Sequence, residues 1–173
     1  LLDDASIAVL VDYIYAPPAT DIGWDEAAIS NSQRVLHEPD SLHDNPVYKA
    51  DPLNIFLVVE AGDHHITVLD GDALEPLHRF PTRYALHGGI KYSPDGRFAY
   101  LASRDGWISK FDLYSLLTVA EERAGINTRN FAIPGDGKTL MVGNNLPNTL
   151  VLLDAEDLTP LQVIPVRDTD GNS

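Results

Sequence analysis

Cysteine is absent from all 173 residues. Disulfides, thiolate nucleophiles and Cys-ligated metals are therefore excluded within this stretch. No apolar run approaches the roughly 18 residues that would read as a membrane-spanning helix. The opening residues show no basic n-region, apolar h-region and cleavage site, so no signal peptide is visible. There is no Gly-x-Ser-x-Gly elbow, which leaves Ser/His/Asp catalysis without a supporting motif. Positive charge is scarce: 12 Lys and Arg stand against 26 Asp and Glu, a net charge of −14. That balance argues against nucleic-acid and anionic-membrane partners, because few cations are available to displace phosphate counterions.

The few cations are concentrated. Residues 79–129 hold eight of the twelve Lys and Arg with only five acids, and the remainder holds four with twenty-one. One cationic sector in an acidic chain points to an anionic ligand of modest size; chance clustering on a solvated face gives the same count.

A repeat organises the chain. Asp70, Asp112 and Asp154 each close an apolar run and stand 42 residues apart, and Pro94-Asp95-Gly96-Arg97 recurs as Gly135-Asp136-Gly137-Lys138. A period of about 40–45 with short strands is the signature of β-propeller blades. Such a ring closes with roughly 4–8 blades, whereas residues 53–166 leave room for two and a half to three. The fold expected is therefore all-β, about three propeller blades, preceded by a short helix and a proline-rich linker.

The helix is expected over 3–15. Asp3 and Asp4 suit its N-cap and first turn, and Ile7, Leu10, Val11 and Ile14 make one apolar stripe. Pro17-Pro18 stops it. Residues 16–52, rich in proline and polar residues, read as a linker or wrapping segment. Strands are expected at 54–60, 65–69 and 75–80; at 89–92, 98–102, 107–112 and 117–122; and at 129–133, 139–142, 149–153 and 161–166. Each Asp-Gly between them suits a tight turn with positive φ. Residues 115–124 also fit a helical period, but they occupy the outer-strand slot of the repeat and are assigned to a strand.

Thr82-Arg83-Tyr84-Ala85-Leu86-His87-Gly88-Gly89 is the most unusual stretch. It lies between two blades, before an innermost strand, where propeller loops face the central channel. His87 there is placed to ligate a metal or act as acid or base, and two glycines let a planar group approach the backbone. On spacing alone a structural histidine has the edge. Arg83, Arg104 and Arg129 fall at strand ends of neighbouring blades, where guanidinium groups suit carboxylates. Singly, each is as well explained by a local Asp. His64-His65 cannot easily share an ion, because adjacent strand residues face opposite ways. His37, His43 and His78 read as surface residues.

Arg83-Tyr84-Ala85-Leu86-His87-Gly88-Gly89, Tyr92-Ser93-Pro94-Asp95-Gly96-Arg97, Ser103-Arg104-Asp105-Gly106 and Ile126-Asn127-Thr128-Arg129-Asn130 resemble the heme d1 propeller family. That family includes cytochrome cd1 nitrite reductases and the proteins that make heme d1. The nitrite reductases carry a Tyr-Ala-Val-His run, a Gly-Arg-Asp hairpin and a Glu-Ala-Arg segment in the same order. This chain has Leu86-His87-Gly88-Gly89 where they have Val-His-Ile-Ser, and Asn144-Asn145-Leu146-Pro147 where they have Tyr-Trp-Pro. Those departures bring it nearer to the dihydro-heme d1 dehydrogenases.

The resemblance implies an eight-bladed propeller, a periplasmic location and a tetrapyrrole, heme d1 or dihydro-heme d1, with its iron. His87 matches the family's iron ligand, a normal role for imidazole. Arg104 and Arg129 match arginines that hold the macrocycle's carboxylates. Arg83 is added from charge and position only, and Asn145 stands where nitrite reductases place a tyrosine near the macrocycle. Residues 1–16 would be the last helix of a c-type cytochrome domain, 17–52 a linker and 53–173 the first blades, with heme c bound upstream. The activity implied is oxidation of a propionate of dihydro-heme d1 to an acrylate, with electrons leaving through a c-type heme. Nitrite reduction and non-catalytic carriage of heme d1 are the alternatives. A c-type cytochrome redox partner, a nitrite reductase and a homodimer are the protein partners the resemblance admits. General-base and distal residues are expected on later blades.

Overall fold

The computed structural model describes residues 2–16 and 23–171. Helix α1 (Asp4–Tyr15) comes first; Asp3 caps it, its carboxylate accepting from Ser6 N at 2.8 Å. It ends with Ala16 extended; Pro17-Pro18, the expected stop, lie outside the described residues. Helix α2 (Glu26–Ser30) and strand β1 (Arg34–Val35) follow. The first blade is β2 (Ile55–Glu60), β3 (His65–Asp70) and β4 (Glu75–Pro81). The second is β5 (Lys91–Tyr92), β6 (Phe98–Ala102), β7 (Trp107–Asp112) and β8 (Leu117–Arg123). The third is β9 (Asn127–Ala132), β10 (Thr139–Leu146), β11 (Asn148–Asp154) and β12 (Pro160–Pro165). All neighbouring strands are antiparallel. Within residues 115–124 the structure forms strand β8 (Leu117–Arg123) rather than a helix, as the repeat requires. No helix among the described residues is long and apolar enough to cross a membrane.

The repeated Asp has a physical job. Asp70 accepts from Asp72 N at 2.8 Å, Asp112 from Ser115 N at 3.1 Å and Asp154 from Glu156 N at 2.7 Å. Each carboxylate so closes the turn between third and fourth strand slots, the local bonding that makes Asp a turn residue. Four residues later comes a leucine at positive φ in every blade: Leu74 (57°), Leu116 (57°) and Leu158 (68°). The second marker is also one turn used twice, with Gly96 at φ 74° and Gly137 at φ 66°. By this register β5 and β9 are innermost strands, and the first blade has no counterpart of them among the described residues.

Two cores lie between blades. Ile66, Val68, Phe80, Ala99, Leu101, Phe111 and Leu113 fill the space between the first and second. Tyr100, Ala102, Ile108, Phe131, Leu140 and Val142 belong to the core between the second and third. Successive residues of β6 thus serve opposite cores, because strand side chains alternate. The second blade is apolar on both faces for this reason.

Residues 23–51 are not a free linker, and that half of the expectation for 17–52 is corrected; the wrapping half is what the structure shows. The segment crosses the outer edge of the second blade: β1 pairs with β8, Ile29 enters the core, and Trp24 Nε1 donates to Arg123 O at 3.0 Å. Its structured pieces, two short helices and a strand, are five, three and two residues long, too short for a periodic signal. His78 also departs from its surface reading. It is half-buried, stacked on Phe80 and near Phe111, and burial pushes its pKa down. No residue of α1 is buried, so its apolar stripe has no cover among the described residues.

Candidate functional site

The loop before β5 is laced onto the end of β6. Leu86 bridges Ser103, His87 N donates to Ala102 O at 2.8 Å, and Arg104 N donates to Ala85 O at 3.0 Å. Ala85, Gly88 and Gly89 take positive φ (50°, 89° and 71°), and the two glycines permit the sharp path at His87. Across the next blade, Thr128 N donates to Arg104 O at 3.1 Å. The His87 Nδ1 lies 3.0 Å from Arg129 O. A carbonyl only accepts, so Nδ1 carries a proton; in the neutral ring the lone pair then sits on Nε2. Orienting an imidazole through its other nitrogen in this way is what a metal-ligating histidine needs.

Backbone bonds therefore join Ala85, His87, Arg104 and Arg129 at one rim. Of the eight cations in 79–129, six are spent. Arg79 pairs with Glu60 and Asp63, Arg83 with Glu121 and Arg97 with Asp112. Lys91 donates to Gly88 O at 3.2 Å, Lys110 to Glu156 O at 2.6 Å and Arg123 to Asp105 O at 2.9 Å. Among the described residues, only the exposed Arg104 and Arg129 have guanidinium groups with no partner. They are the two that share His87's rim.

Arg83 is excluded from this group. Its Nε donates to Glu121 Oε1 at 2.8 Å, its second nitrogen to Oε2, and the guanidinium lies 3.9 Å from the Trp107 ring centre. It fastens the outer strands, because a bidentate, stacked guanidinium has little left for a ligand. Asn145 stands exposed at the end of β10, on the same rim, 3.4 Å from Asn127 Oδ1. His64 and His65 go to different partners: His64 packs on Tyr84, ring centres 4.8 Å apart, and His65 Nδ1 lies 2.8 Å from Asp63 O.

A cleft of about 290 Å³ opens beside His87, lined by Val59, Leu86, Gly88, Ile90, Leu101 and Ala102. Its lining side chains are apolar except for the imidazole. Its far wall, Val59, comes from the first blade and carried no sequence signal. Lys91 and Asn130 were also missed. Lys91 fixes the Gly88 carbonyl, and Asn130 Oδ1 occupies the space a Gly88 side chain would need, 2.5 Å from an added Cβ. A larger cavity, about 600 Å³, lies at the opposite strand ends by Phe98, Lys110 and Glu156. Its lysine is bound to a carbonyl and packed 4.0 Å from the Phe98 ring centre, and Tyr100 Oη donates to Ala155 O, so these groups serve the fold.

The model of the cytochrome D1 heme domain matches residues 50–173. The chain belongs to the cytochrome D1 heme domain family. A dihydro-heme d1 dehydrogenase of Pseudomonas aeruginosa is 55% identical over 99% of this chain and 35% of its own length. Protein NirF of the same species is 30% identical over 66% of the chain and 30% of its own length. A nitrite reductase of Stutzerimonas stutzeri is 23% identical over 96% of the chain and 31% of its own length. Among solved structures, dihydro-heme d1 dehydrogenase NirN in complex with DHE matches with a TM-score of 0.90 and 55% identity, over 99% of this chain and 37% of that one. Hydrazine synthase of Kuenenia stuttgartiensis matches at TM-score 0.57 and 16% identity, over 90% of this chain and 43% of that one, a likeness of fold alone. The chain spans about a third of the length of these relatives.

Proposed function

We propose that these blades form part of the heme d1 site of a periplasmic dihydro-heme d1 dehydrogenase. The observation that supports this reading is the His87 loop: an imidazole oriented through Nδ1 beside an apolar cleft, with hydrogen bonds tying that loop to the backbone of two unpaired arginines, Arg104 and Arg129. His87 Nε2 would face the iron, and Arg104 and Arg129 would pair the macrocycle's carboxylates. Asn145 would border the same opening. The cleft walls keep water from one face of the ring and fix its orientation. The tetrapyrrole supplies the redox chemistry when bound. The reaction is loss of two electrons and two protons from one propionate side chain, leaving an acrylate. A c-type heme elsewhere in the protein would accept the electrons, and the proton acceptor would come from residues other than these. The neighbour solved with DHE favours dehydrogenation over nitrite reduction.

The test uses the full-length parent and dihydro-heme d1 with an electron acceptor. Arg104→Ala with Arg129→Ala is expected to raise the tetrapyrrole Kd at least tenfold and to cut turnover at subsaturating substrate. Arg83→Ala is expected to lower stability with little change in affinity. Equal affinity in wild type and the double variant would remove the carboxylate clamp from the account.

A further inference from the structure

Glu122, on β8, has no exposed surface. Its Oε1 accepts from Ser32 Oγ at 3.1 Å, and its Oε2 has no partner among the described residues. One donor does not satisfy a carboxylate out of water, whereas a neutral acid is tolerated there. The cover over it is the wrapping segment 23–37. That segment offers Ser32 and no cation to Glu122; β7 offers its cross-strand partner Ile108, and the turn after β11 offers Asp157, a like charge. The neighbouring Arg123 points the other way along the strand alternation, with its guanidinium on Trp24 and the Asp105 carbonyl. Burial pushes the Glu122 carboxyl up, the Ser32 hydrogen bond opposes it and Asp157 adds to it, with the result near 7.

We propose that Glu122 is a proton-operated latch for the wrapping segment: neutral, it lies beneath the docked segment, and ionised, it opens the segment to reach water. The attachments at stake include the buried Ile29, the pairing of β1 with β8, and Gln33 Nε2 donating to Asp157 O and Thr159 Oγ1. Leu36 N and His37 N both donate to Val119 O, Arg123 N donates to Ser32 Oγ, and Trp24 Nε1 donates to Arg123 O. The docked state keeps the proton longer than the open one. Docking is therefore tightest below the ordinary Glu value of 4.5, weakens as pH rises through about 7 and is level above that. The interval corresponds to a rise of roughly 300-fold in the opening equilibrium. The effect reaches the His87 rim, because Arg123 Nε holds Asp105 O beside Arg104.

The test is hydrogen exchange on the full-length parent at pH 5.5 and 8, corrected for intrinsic rates and read peptide by peptide. Wild type is expected to lose protection in 23–37 by tens-fold or more at the higher pH, with 98–102 and 107–112 unchanged. Glu122→Gln is expected to keep 23–37 protected at both values, and Glu122→Leu serves the same purpose should the amide variant fold poorly. Protection that does not change with pH, or a change that survives both substitutions, overturns the latch. Unchanged protection at 104–106 while 23–37 opens overturns the link to Arg104.

Discussion

Gly88 shows how one residue sets the space beside His87. Its φ of 89° and the Asn130 Oδ1 lying 2.5 Å from an added Cβ leave no room for alanine. Gly88→Ala is expected to cost about 1–2 kcal/mol through left-handed strain and to displace the imidazole. A thermal melt and a tetrapyrrole titration of the full-length parent would show both effects; a variant with wild-type Tm and affinity would contradict the crowding. Arg97 makes a second case. It donates to both oxygens of Asp112, whose side chain has no exposed surface. Burial pushes the Asp112 carboxyl up, but hydrogen bonds from Arg97 and Ser115 outweigh it, and its pKa ends below the usual value. The stability this carboxylate contributes is present above its unfolded value near 4 and is lost as pH falls through its folded value. Arg97→Ala strands the charge and should cost about 3–5 kcal/mol, read by denaturant unfolding; a loss below about 1 kcal/mol would show the carboxylate to be satisfied by its backbone donors alone.

At the scale of the element, the turn from third to fourth strand is the unit that repeats. Its Asp was legible because the bond to the following amides needs that side chain in every blade. The leucine four residues on was not, since positive φ at Leu contradicts local preference and is imposed by the strands on either side. Leu74 is 70% exposed and Leu158 is fully buried at the same conformation. Leu74→Gly is therefore expected to be neutral or stabilising by up to about 1 kcal/mol, and Leu158→Gly to cost about 2–5 kcal/mol in lost packing. Equal losses in the two melts would contradict this division. Of the candidate site, the nearness of His87 and Arg129 is the part the period makes legible. His87 and Arg129 stand one period apart, so successive blades bring them together, and the backbone bonds do the rest. Arg83 was misread because position along a strand does not say which neighbour a long side chain meets. The wrapping segment was half-read because its strand is two residues long and pairs with β8 from a distance no local pattern reports.

For the molecule as a whole, what matters is which edges are closed. Among the described residues the first blade presents β2 without an inner neighbour, and Phe56 and Val58 on it are 52% and 44% exposed. Unpaired backbone with apolar side chains recruits other strands. The 173-residue chain on its own is expected to self-associate, with Val58→Lys shifting it toward monomer in sedimentation. A monodisperse chain that melts cooperatively would contradict that. His87 and Arg104 belong to the second blade and Arg129 to the third, so a ligand held by all three would bridge two blades. The most direct measurement is therefore an absorption titration of the full-length parent with dihydro-heme d1, in wild type, His87→Gly, and His87→Gly with added imidazole. Loss of the iron-ligand bands in His87→Gly and their return with imidazole is the predicted result. Identical bands in wild type and variant would mean that His87 does not ligate the iron, and that its bond to Arg129 O serves only to join the blades.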